Sequence, residues 1–142
     1  MRRFAGLAVS LLALAALALP AQADFVRDYK GWRQLGPEGQ AAYAMAIFDV
    51  SAVMVNDDPV TAARAAGLRG CAMSLKLNGA NVAAAITKFY TDHPEAQHAT
   101  PFMAFNGYLE RGACSPFINE ARRELGLPPL RGVAVPPPKK QQ

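Results

Sequence analysis

The sequence predicts an all-α fold, a small compact bundle of about four to five helices with one intramolecular disulfide. Three observations lead there. No window alternates apolar and polar residues over six or more positions, so strand patterning is scarce. Apolar residues instead recur at three- and four-residue spacings along most of the chain. A polar residue followed directly by proline punctuates the chain at Asp58-Pro59, Thr100-Pro101 and Ser115-Pro116, the pattern of a helix N-cap with proline in the first turn.

The chain opens with MRRFAGLAVSLLALAALALPAQADF. Two arginines, an apolar run from Phe4 to Leu19, a breaking Pro20 and the small-x-small Ala21-Gln22-Ala23 form a signal peptide, so residues 1–23 are expected to be removed after Ala23 during export to the periplasm. No other stretch is long and apolar enough to cross a bilayer, and no membrane association is expected after cleavage. The formal net charge of +4 loses Arg2 and Arg3 with the signal, and Lys139 and Lys140 sit in the C-terminal tail. The remaining body is close to neutral, without a basic stripe interleaved with aromatics, so nucleic acid is not an expected partner.

After a leader holding Tyr29 and Trp32, GPEGQ opens a long helix. Tyr43, Ile47, Val50 and Met54 make its expected inner face, and Asn56-Asp57-Asp58 its end. Asp58 and Pro59 start a second helix, closed by Gly67 or Gly70 just before Cys71. Asn78 caps a third, with Val82, Ile86 and Phe89 inward and an end near Asp92. Thr100 and Pro101 start a fourth, turning Phe102, Phe105 and Leu109 to the core. Ser115 and Pro116 start a fifth, in which Phe117, Ala121 and Leu125 repeat every four until Gly126 stops it. The helical domain spans 24–127, and the proline-rich 128–142 reads as a disordered tail.

Cys71 and Cys114 are the only cysteines. In an exported chain an even pair points to a structural disulfide, with free thiols or intermolecular pairing as the alternatives. Their wide separation offers no CxxC redox motif and no haem-attachment motif.

Both histidines lie in TDHPEAQHATPF, residues 91–102. Pro94 pushes His93 out of helical geometry, which makes His93, Pro94 and His98 structural residues of a joint between two helices. As metal ligands the two imidazoles are five positions apart with a proline between, not the three or four of a single helical face. As acid or base either would need an activated nucleophile, and no GxSxG, HExxH or glycine-rich phosphate loop is present. No catalytic residue, metal site or cofactor is expected. Trp32 and Asp49 are candidate partner contacts. The favoured reading of Trp32 is nevertheless a capping piece of the bundle, and that of Asp49 a solvated or locally paired carboxylate.

Trp32, Tyr43, Asp49, Cys71, the His93-Pro94-Glu95 turn with His98, and Cys114 occur in an order and spacing that resembles the Rap/Tai-type immunity family, small exported helical proteins of Gram-negative bacteria. Ala46 stands where that family's pattern has a glycine after the tyrosine, and Ala113 where proline often precedes the second cysteine. The resemblance implies a non-enzymatic periplasmic protein, commonly a helical homodimer, that binds and blocks a peptidoglycan amidase effector delivered by type VI secretion. The alternative expectation is a general envelope-stress or chaperone-like binder with no dedicated effector.

Overall fold

A computed structural model describes residues 25–53 and 57–130. The expected signal peptide and its expected cleavage site, Met54, Asn56 and residues 131–142 lie outside the described residues. Among the described residues six α-helices form the bundle: α1 (Tyr29–Gln34), α2 (Gly36–Val53), α3 (Pro59–Leu75), α4 (Gly79–Asp92), α5 (Pro101–Phe105) and α6 (Ser115–Glu124). A 3-10 turn, Pro94–Ala96, follows α4, and a π-helical segment, Asn106–Ala113, joins α5 to α6. Among the described residues there is no strand, and no helix is long and apolar enough to cross a membrane.

Local chemistry sets most of the boundaries. Asp58 caps α3 by accepting from the Thr61 amide at 2.8 Å and from its hydroxyl at 2.7 Å. Asn78 and Asn81 form a reciprocal capping box at the start of α4, each side chain accepting from the other's backbone N–H. Thr100 Oγ1 accepts from the Met103 amide at 3.2 Å and starts α5. The leader is a further short helix, α1, begun when Asp28 accepts from the Gly31 amide at 2.8 Å. Gly36, with φ at +66°, turns the chain from α1 into α2 in a conformation that favours glycine.

Two expected boundaries are displaced. The second helix does not close at Gly67 or Gly70 but runs on through Cys71 to Leu75, and ends where Lys76 enters the left-handed region at φ 51°. Gly67 serves helix packing instead: a Cβ there would lie 2.4 Å from the Ile118 Cα, so α3 and α6 touch backbone to backbone. Ser115 is not an N-cap. The chain passes helically through Cys114 (φ −90°, ψ −7°), and the Ser115 hydroxyl donates back to the Gly112 carbonyl at 2.9 Å. Residues 101–124 are therefore one nearly continuous helical path rather than two capped helices.

The inner faces are partly rotated from those expected. On α2, Ala44, Phe48, Ser51 and Ala52 are buried, Tyr43 and Ile47 are half-buried, and Val50 faces out. Apolar residues surround this alanine-rich helix, so its sequence selects no single stripe and small residues take the tightest positions. On α6 the buried residues are Ile118, Ala121 and Arg122, while Leu125 is exposed. Phe102 is also exposed, one turn ahead of the buried Phe105. Val82 and Ile86 of α4 point inward as expected, joined by Tyr90.

Trp32 is fully buried, which removes it from the candidate partner contacts: its Nε1 donates to Thr87 Oγ1 at 3.0 Å and its ring meets Tyr43 edge-on. The core continues through Phe48 against Phe105 and Tyr29 stacked on Tyr90. The Cys71–Cys114 disulfide is present, with both cysteines fully buried and Cα atoms 5.3 Å apart. Residues 128–130, expected as the start of the tail, belong to the folded part. Arg122 Nε donates to the Pro128 carbonyl at 2.6 Å, the Leu130 amide donates to Asn119 Oδ1 at 2.7 Å, and Leu130 packs on the core.

Candidate functional site

The joint between α4 and α5 is built from backbone outward. His93 leaves helical geometry at φ −126°, ψ 70°, as the following proline requires, while its N–H still bonds the Phe89 carbonyl at 2.9 Å. Pro94 then opens the 3-10 turn, closed by the Ala96 amide on the His93 carbonyl at 2.9 Å. Two long-range bonds lock the link. The Tyr29 amide donates to the Gln97 carbonyl at 2.9 Å. The Tyr90 hydroxyl donates to the Ala99 carbonyl at 2.7 Å.

His93 and Pro94 are thus joint residues, and the His93 ring lies against Phe89 with Nδ1 3.3 Å from Glu95 Oε1. His98 belongs to the same link but its side chain is exposed and makes no hydrogen bond or ion pair among the described residues. The two histidines do not share a ligand cluster: among the described residues no three or more His, Cys, Asp or Glu side chains gather as a metal site would need. Asp49 is exposed on α2.

Burial pushes the Tyr90 phenol well above its ordinary range, with the Asp28 carboxylate and then Tyr43 adding to the shift. The folded state thus holds the neutral phenol more firmly than the unfolded chain does. Its stability contribution is complete below the unfolded value of about 10 and is lost as pH rises beyond it. Melting temperature followed from neutral pH to above about pH 10 is expected to fall more steeply for the native chain than for Tyr90→Phe. At neutral pH that variant should lose about 1 kcal/mol, because the Ala99 carbonyl is left without its donor.

A polar cluster that the sequence did not announce lies where α2, α3 and the π segment meet. Arg64 makes a bidentate pair with Glu110, Nε to Oε1 at 2.8 Å and Nη2 to Oε2 at 2.7 Å. The same Nη2 lies 3.3 Å from both Ser51 Oγ and Asn106 Oδ1. Glu110 is buried while Arg64 keeps about a quarter of its side chain in solvent. On α3 a further cation, Arg69, donates to the Ala52 carbonyl at 2.6 Å and satisfies the end of α2. These contacts bind helices together and present no open reactive group. Glu110→Ala is expected to cost about 2 kcal/mol in chemical denaturation, below the fully buried range because Arg64 can recruit water.

The π geometry explains why Glu110 faces inward. Phe105, Leu109, Glu110 and Cys114 are all buried, an inward spacing of four to five residues that matches a π turn rather than an α turn. The Cys114 amide correspondingly donates to the Leu109 carbonyl, five residues back, at 2.8 Å. That spacing is the one sequence signal that could have found the cluster.

Several large apolar side chains remain on the surface. Val50 and Val53 stand at the end of α2, Phe102 and Met103 at the start of α5, and Met73 near the end of α3 is 77% exposed. No family model, curated protein or solved structure matches the chain.

Proposed function

We propose that the protein is an exported, non-enzymatic periplasmic protein that works by binding another protein, in the manner of the immunity proteins that block a peptidoglycan amidase effector. The observation that carries this reading is the set of large apolar side chains, Val50, Val53, Phe102, Met103 and Met73, held at the surface by ordered helices. Several ionic side chains elsewhere are engaged with one another: Arg64 with Glu110, Lys88 with Asp92, His93 with Glu95. Covering a partner's cleft needs a rigid shape and a few anchors that desolvate well, and leaves no short motif. The buried disulfide supports an oxidising compartment. The ordered sequence elements from Trp32 to Cys114 that resemble the Rap/Tai-type family supply the partner class. Asp49 stays a candidate contact because it is exposed on the same helix as Val50 and Val53.

Affinity capture from periplasm with the mature chain tests the reading. The expected result is one stoichiometric partner with amidase-type hydrolase activity that falls on addition of the protein. Capture of several unrelated clients would favour the chaperone-like alternative, and recovery of no hydrolase would overturn the immunity reading.

A further inference from the structure

At the α1 end of the bundle lie three cations. Lys30 and Arg33, three residues apart on α1, share a side of the short helix, and Arg27, just before the extended Asp28 cap, lines the same concavity as Lys30. All three are exposed and none forms an ion pair among the described residues. The adjacent carboxylate, Asp28, is turned back onto the Gly31 amide as the helix cap. Two open concavities adjoin there. One, of about 440 Å³, is lined by Tyr29, Lys30, Arg33, Gln34 and Gln97, and the other, of about 330 Å³, brings in Arg27 and Phe25. The Arg33 guanidinium stands 5.9 Å over the Tyr29 ring, which holds it at the rim. The floor is rigid, since Tyr29 is stacked on Tyr90 and bonded through its amide to Gln97.

We propose that this cationic end is a docking surface for an acidic segment of a protein partner, with carboxylates paired to Arg27, Lys30 and Arg33 and an apolar side chain against Phe25. Like charges lining adjoining concavities repel one another, and an anionic partner relieves that repulsion. The concave shape and the Gln34 and Gln97 amides favour carboxylates projecting from a protein over a flat lipid surface. A membrane-binding face would instead gather several apolar side chains beside its cations. Here Phe25 is the exposed large apolar residue, while Val50, Val53, Phe102 and Met103 belong to α2 and α5. The inference takes from the function proposed above only that a protein is the partner.

Fluorescence anisotropy of a labelled peptide alternating glutamate and leucine tests it, using the native chain, the Lys30→Glu/Arg33→Glu variant and, as a control, Arg111→Glu at an exposed position of the π segment. The expected result is binding that weakens with added salt, drops about tenfold or more in the double variant, and is little changed in the control. Circular dichroism checks that each variant keeps its helices. Equal losses in the control and the double variant would overturn the proposal, as would no peptide binding, or binding to phosphatidylglycerol vesicles in preference to the peptide. If a captured hydrolase is retained equally by the double variant, this surface is not the contact and the function stands. If no hydrolase is captured at all, the peptide titration still decides the surface.

Discussion

Replacing Gly67 with alanine is expected to destabilise the fold by about 3 kcal/mol, at or beyond the upper end of ordinary overpacking. The added Cβ would meet Ile118 at its Cα, amide N and Cγ1, all within 2.7 Å. Backbone atoms cannot rotate aside as a flexible side chain can, so α3 and α6 must separate. That separation would also strain the Cys71–Cys114 link, since both helices run into it. For a domain of this size such a loss lowers the melting temperature by about 15 °C. Gly70, one turn away on the same helix, supplies the control. A Cβ there meets Phe117 Cδ1 at 3.8 Å, an ordinary contact. Gly70→Ala should therefore be neutral or raise stability by about 0.5 kcal/mol through helix propensity. Thermal melts of the two variants side by side check both signs, and equal effects would show that helix spacing is not set at Gly67.

The second large effect is expected from the disulfide. Cys71→Ala/Cys114→Ala should lose about 4 kcal/mol in urea or guanidinium unfolding, because the bridge closes a 43-residue separation and restricts the unfolded chain. The loss is comparable with the whole net stability of a small domain. Removing the bridge also frees a tie between α3 and the π region, leaving Arg64 on Glu110 and Asn106 to hold them. Amide exchange in residues 106–113 should consequently rise more than in α2 or α4. Uniformly raised exchange would show that the bridge acts only on global stability.

How much of this was legible in advance follows the range of the interaction concerned. Asp58, Asn78 and Thr100 cap their helices as read from the sequence, since a side chain reaching an amide three residues on is a local event. Pro94 ended α4 at Asp92 for an equally local steric reason. Ser115 failed the same test because Cys114, bridged to α3, occupies a helical conformation and lets the chain pass without a break. Gly67 looked like a stop but is a point of contact, and nothing in its neighbours along the chain distinguishes the two uses. The outward positions of Val50, Phe102 and Leu125 depend on which helix lies opposite, and the flanking sequence does not say.

Helical class, the Asp58, Asn78 and Thr100 caps, the proline-bounded joint and the single available cysteine pairing were determined by the sequence alone, because each is decided within about one helical turn or by simple count. The rotation of each helix, the burial of Trp32, the π register and the meeting of Arg64 with Glu110 across 46 residues were decided only by tertiary structure. Close packing is the physical reason: which face is buried depends on the shape of neighbours distant in the chain, and a backbone approach such as Gly67 on Ile118 exists only once both helices are in place.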